Sequence, residues 1–95
     1  MSVYLVAQLK IHDRARYNQY VSGFMEIFAR HAGRVLAVDE APKVLEGEWN
    51  YTRTVLLEFP SEEQARAWFE SDEYRRLAQH RHAAADADIV LIKGQ

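Results

Sequence analysis

Apolar residues recur at two periods along this chain, and each change of period marks an element. Val3, Leu5, Ala7, Leu9 and Ile11 alternate with Tyr4, Val6, Gln8 and Lys10. This predicts a strand with one apolar face and a second face apolar only at its start. Asp13 is a suitable N-cap. From Arg14 to Ala32 the spacing turns helical, with Tyr17, Tyr20, Val21, Phe24, Ile27 and Phe28 on one stripe that His31 continues. Gly33 stands where a left-handed C-cap is wanted, and Arg30 and His31 suit the negative end of the helix dipole. Arg34–Asp39 reads as a second strand, Glu40-Ala41-Pro42 as a turn, and Lys43–Glu46 as a candidate short strand. Gly47–Tyr51 is an exposed loop carrying Trp49 and Tyr51. Thr52–Phe59 is a third main strand, with Val55, Leu57 and Phe59 on one face and Thr54, Leu56 and Glu58 on the other. Pro60 ends it. Ser61 and Gln64 form a capping box for a second helix that turns Ala65, Trp68 and Phe69 inward. Ser71-Asp72 interrupts that helix and caps a further turn or two with Tyr74, Leu77, Ala78 and Arg81. Asp86–Asp88 is a polar lead-in to a last strand, Ile89–Lys93.

The order β-α-β-β-α-β predicts an α+β, ferredoxin-like domain: a four-stranded antiparallel sheet with both helices on one face. The helices cover only that face. The other carries Tyr4, Val6, Leu56 and a pair from the last strand, either Val90 and Ile92 or Ile89 and Leu91. An apolar face left open to water is a binding or association surface. Two copies are therefore expected to pack sheet against sheet, closing into a dimeric α/β barrel with Glu58, Thr54, Gln8 and Lys10 lining part of the enclosed space.

Composition narrows the function classes. The 95 residues suit one domain over 1–95. Folding at this length buries only about 60–65% of the unfolded chain's surface, so self-association helps. A net charge of -2 supplies no general field for nucleic acid, and no partner of that kind is expected. Nine of the twelve basic residues are arginine, suited to fixed, hydrogen-bonded partners. The absence of cysteine excludes disulfides, thiol nucleophiles and Cys-ligated metals. No stretch approaches the roughly 18–20 apolar residues of a membrane span. The N-terminus reads as a strand and not a signal peptide, so a cytoplasmic location is expected.

The run from Glu46-Gly47 and Trp49 through Glu58-Phe59-Pro60-Ser61, Ala67-Trp68-Phe69 and Ser71–Tyr74, preceded by His31–Arg34, resembles domain-of-unknown-function family 1330. The resemblance spans almost the whole chain and implies a ferredoxin-like protein that pairs as a dimeric α/β barrel. It implies no particular reaction. The segment AWFESDEYRRLAQH is also similar to the antibiotic-biosynthesis and haem-degrading monooxygenases, in which a helix Trp precedes Ser-Asp and an aromatic. That resemblance implies a haem-ligating His four residues after the aromatic. Ala78 stands there, so haem ligation is not expected.

Glu58, enclosed at a dimer interface, must be paired or shifted in pKa. It is a candidate general base or polar anchor, and equally a structural partner of Arg34 or Arg53. His31 is a candidate acid/base contact or a plain dipole partner. Trp49, Tyr51 and Arg53 suit stacking on a planar ligand or the rim of an interface. Tyr17 and Tyr20 suit hydrogen bonding at the core edge. The basic cluster Arg75, Arg76, His80, Arg81 and His82 reads as a solvated face that is able to receive an anion. His80 and His82, two apart on a helix, point about 200° apart and make a poor metal pair. No phosphate-cradling glycine loop or nucleophile elbow is present. The expectation is a homodimer that holds a small organic molecule between sheet and helices without a cofactor. Glu58 and His31 are the acid/base candidates, and Arg53, Trp49, Tyr17 and Arg34 the contacts. The rivals are a monooxygenase and a non-enzymatic binding dimer. A cavity of roughly 300 Å³ or more with converging polar groups favours binding or catalysis over a structural role.

Overall fold

A computed structural model describes residues 1–95. The elements are β1 (Val3–Ile11), α1 (Arg14–Phe28), β2 (Arg34–Asp39), β3 (Arg53–Phe59), α2 (Glu62–Phe69), α3 (Asp72–Ala84) and β4 (Ala85–Lys93). They form one open antiparallel sheet in the order β2-β3-β1-β4, with the helices on a single face. This is the ferredoxin-like arrangement. The sheet of one chain does not itself close into a barrel. No helix is long and apolar enough to cross a membrane.

Strand register decides which residues share a face. Val3, Leu5, Ala7 and Leu9 lie buried under the helices. Tyr4 pairs with Glu58 and Ile92, Val6 with Leu56 and Val90, and Gln8 with Thr54 and Asp88, so these form the open face. The last strand thus contributes Val90 and Ile92 to that face, while Ile89 and Leu91 pack against the core. A bulge between Val35 and Ala37 keeps both Val35 and Val38 opposite helix-side residues, Leu57 and Val55.

The core is aromatic. Trp68, 2% exposed, stacks on Phe59 at 5.6 Å and meets Tyr74 at 4.3 Å and Phe28 at 5.3 Å. The caps act as read from the sequence: side-chain oxygens of Asp13, Ser61 and Ser71 accept from the backbone N–H of Arg16, Gln64 and Tyr74.

Four expectations are corrected. Helix α1 stops at Phe28, not Ala32, because Arg30 and His31 N–H groups bond to the carbonyls of Ile27 and Phe28, tightening the end into a three-residue turn. His31 therefore lies beyond the helix. Gly33 is not left-handed; the one positive φ belongs to Gly47, at 86°. Gly33 is there for space: a Cβ would lie 2.5 Å from Phe59 Cε1 and 2.6 Å from Phe28 Cζ. Gly33→Ala is accordingly expected to cost about 1–3 kcal/mol of stability in urea unfolding, through overpacking against rings that cannot retreat. Lys43–Glu46 is not a strand: Leu45 is 97% exposed and no strand pairs beyond β2. Finally, α3 runs 13 residues and β4 begins at Ala85. Buried Ala78 and Ala84 extend the helix stripe, and Ala85 and Ala87 extend the strand's inner face while Asp86 and Asp88 point outward.

Candidate functional site

Between α1 and the sheet lies a cavity of about 220 Å³. Its floor is β1 and β3 (Leu5, Ala7, Leu9, Val55, Leu57), its roof is α1, and its far wall is Trp68, Phe69 and Tyr74. It opens between α1 and the edge strand β2, where Val21, Met25, Val35 and Val38 are exposed. The bulge in β2 puts both of its valines on the helix side of the sheet, at this mouth.

Polar groups converge on this apolar volume. Tyr17, Tyr20, Tyr74, Arg53 and Arg81 all line it. The Tyr20 and Tyr74 hydroxyls bond to each other at 2.7 Å, joining α1 to α3. Burial pushes the Tyr20 phenol well above its ordinary pKa, with the Tyr74 hydroxyl adding to the effect. Burial also raises Tyr17, against the opposing charges of Arg53 and Arg81. Both phenols are therefore protonated at neutral pH, and the Tyr20–Tyr74 pair keeps one hydroxyl hydrogen free of their mutual bond. Tyr74→Phe should cost about 1–3 kcal/mol by stranding the Tyr20 hydroxyl. Adding Tyr20→Phe should restore much of that loss, and additive losses in the double-mutant cycle would contradict a bonded pair.

Arg53 begins β3 on the helix side, opposite Leu9. Its Nη1 donates to Glu40 Oε2 at 2.9 Å, and Arg14 Nη1 donates to the same oxygen at 3.0 Å. These bonds hold the Glu40 carboxyl below its ordinary pKa. The Arg53 and Arg14 guanidinium carbons lie 5.5 and 5.8 Å from the Tyr17 ring centroid, so the ring is flanked by two cations. Three buried nitrogens along the cavity have no hydrogen-bond partner: Arg53 Nε, Arg81 Nε and Trp68 Nε1. Buried donors are normally satisfied.

Of the residues singled out in the sequence, Tyr17 and Arg53 come together at the cavity. Glu58 lies on the opposite, open face of the sheet, where Arg34 Nη2 donates to its Oε1 at 2.6 Å and Arg34 Nε at 3.1 Å. Those bonds lower its pKa, with Ser2 and Tyr4 assisting. Glu58 and Arg34 are thus joined to each other and separated from Arg53 by the thickness of the sheet. His31 is half-buried in the turn after α1. Trp49 sits on the β2–β3 loop against Tyr51, whose hydroxyl donates to Asp88 Oδ2 at 2.9 Å. His80 Nδ1 accepts from Arg16 Nε at 2.8 Å, tying α3 to α1. Arg81 departs from the solvated face expected of its cluster: it is 6% exposed. The signal for this was its place on the stripe of Tyr74, Ala78 and Ala84, outweighed in the sequence by four basic neighbours.

A ferredoxin-like sheet with one covered face, one open face and a cleft under its first helix defines the structural class. Within that class the chain belongs to the family Domain of unknown function (DUF1330), whose model matches residues 2–95. A protein of unknown function from Rhodopseudomonas palustris is similar over 99% of this chain and 82% of its own, with 18% identity and a TM-score of 0.84. SnoaB, a cofactor-independent oxygenase from Streptomyces nogalater, is similar over 99% of this chain and 93% of its own, with 13% identity and a TM-score of 0.73. A dimeric ferredoxin-like protein of unknown function from Thermobifida fusca is similar over 99% and 92%, with 14% identity and a TM-score of 0.69. At these identities the likeness is one of fold. No curated protein matches the chain at a significant level.

Proposed function

We propose that this chain is a single cytoplasmic domain that forms a homodimer through the open face of its sheet and binds a small organic molecule in the cleft between α1 and the sheet. The observation that carries the reading is the cleft itself, an apolar volume into which two arginines and three tyrosines converge. At about 220 Å³ it falls short of the roughly 300 Å³ that favours binding over a structural role on volume, so the reading rests on the convergence of polar groups. The ligand is correspondingly small, of the size of a single ring with short substituents. Tyr17 and Arg53 contact it.

The dimer rests on the open face. Val90 and Ile92 are 55% and 48% exposed there, beside Val6, Leu56 and Tyr4. Fold relatives are described as dimeric. Two such faces packed together form the dimeric barrel, with Glu58 and Arg34 as a polar anchor at its rim. The cavity lining contains no carboxylate or imidazole. Binding is therefore better supported than acid/base catalysis by Glu58 and His31.

One observation favours a second reading, that of a cofactor-independent oxygenase like SnoaB. Trp68 and Tyr74, 4.3 Å apart, form the cavity's far wall within the segment similar to the monooxygenases. Oxygen uptake with small phenols would support it.

Methyl-resolved NMR with a library of single-ring compounds tests the main reading. Perturbations confined to Val21, Met25, Val35, Val38 and Val55 are expected. Perturbations centred on Val6, Val90 and Ile92 instead, or none at all, would remove the cleft as the site.

A further inference from the structure

We infer that the ligand of this cleft is an organic anion, a small acid whose carboxylate is received by Arg81 together with the Tyr17, Tyr20 and Tyr74 wall. This inference rests on the reading of the cleft as a ligand site and adds the chemical class of what enters it.

Arg81 carries the inference. It is a permanent cation and is 6% exposed, the only charged residue among the buried ones. It belongs to none of the chain's ion pairs. Its Nε is buried and unbonded. Its guanidinium carbon sits 5.8 Å from the Tyr20 ring centroid, a contact that leaves Nε without an acceptor. A charge largely withdrawn from water with no ion-pair partner is expensive to fold around, and a protein of this size has little stability in reserve. Such a group is normally found neutralised. Arginine cannot lose its proton, so the neutralising charge must come from outside the side chain.

No carboxylate of the chain is paired with Arg81. No Asp or Glu lines the cavity. Glu70, on the groove beyond α3 that Arg81 also borders, is bonded to Arg66 at 3.1 Å. Glu40, at the other end of the site, is shared by Arg14 and Arg53. The site therefore holds more positive than negative charge, and Arg53 Nε and Trp68 Nε1 are further unmatched donors. A planar guanidinium beside hydroxyl donors suits a carboxylate, which accepts two parallel N–H bonds. The apolar floor of Leu5, Ala7, Leu57 and Val55 suits the body of the acid, and the small volume limits it to one ring or a short chain.

The test pairs each acid with its uncharged amide: benzoate with benzamide, and phenylacetate with phenylacetamide. Thermal unfolding and titration calorimetry are run on the wild-type protein and on Arg81→Met. Wild type should bind each acid at least about tenfold more tightly than its amide, within the range of a charge-assisted hydrogen bond. Its Tm should rise with acid concentration and much less with amide. Arg81→Met should unfold at a higher temperature than wild type in buffer free of organic anions, and should bind acid and amide alike. Should Arg81→Met fail to fold, the wild-type comparison alone decides, with Arg81→Lys expected to retain a weaker preference for the acid. Equal binding of acid and amide by wild type would overturn the anionic assignment and leave the cleft standing as a ligand site. No binding of any probe, with no methyl perturbation in the cleft, would overturn both.

Discussion

Val90→Lys is expected to turn the protein into a monomer while leaving its fold intact. Val90 lies on the edge strand β4 with its side chain on the open face, and it is already 55% exposed in a single chain, so a lysine there meets water and displaces nothing. In a dimer packed sheet to sheet, the same position faces the other copy next to Val6 and Leu56. Two-fold symmetry would place two lysines in the interface without a partner. Burying an unpaired charge costs several kcal/mol. At about 3 kcal/mol the dissociation constant rises more than a hundredfold. Light scattering after size exclusion should report the monomer mass, with circular dichroism unchanged. A dimer of undiminished affinity would place the interface elsewhere on the molecule.

Trp68→Ala should have the largest effect on stability, about 3–5 kcal/mol, a large share of the 5–15 kcal/mol typical of a whole domain. Trp68 is 2% exposed and touches rings from every layer: Phe24 and Phe28 on α1, Phe59 on β3, Phe69 on α2 and Tyr74 on α3. Removing it leaves a void that these rings cannot fill without leaving their own contacts. It would also merge that void with the cleft, whose wall it forms. Trp68→Phe should cost far less, because the Nε1 group makes no hydrogen bond to lose. Urea unfolding of the two variants separates these effects. A loss below about 1 kcal/mol for Trp68→Ala would mean that the aromatic cluster does not carry the core.

The fold was legible where side chains were large and periodic. Val3 through Ile11, the stripe of α1 and the Ser61 cap each identify one element, and the full order β-α-β-β-α-β points to the ferredoxin-like topology. Legibility failed where alanine took the inward positions. Ala87 packs on the core, yet between Asp86 and Asp88 it reads as part of a polar lead-in, and the buried Ala84 and Ala85 give no apolar signal of their own. The end of α1 is illegible because Gly33 suits a C-cap, whereas its absent side chain makes room for Phe28 and Phe59.

The site was legible in part, for a related reason. Tyr17 and Arg53 attract notice as an aromatic and a cation, and both line the cleft. Glu58 attracts equal notice as a mid-strand carboxylate, but strand alternation puts it on the far face with Arg34. Arg81 was hidden among Arg75, Arg76, His80 and His82, because charge pattern and helix phase gave opposite answers. Helix phase prevailed, since the stripe from Tyr74 to Ala84 is held against the core.

The most direct measurement is native mass spectrometry of the protein purified gently, without organic acids in the buffers. A dimer carrying one small adduct per protomer is the expected spectrum. A monomer, or a dimer that stays free of adducts and takes up none of the single-ring probes, would contradict the central claim of a ligand-holding homodimer.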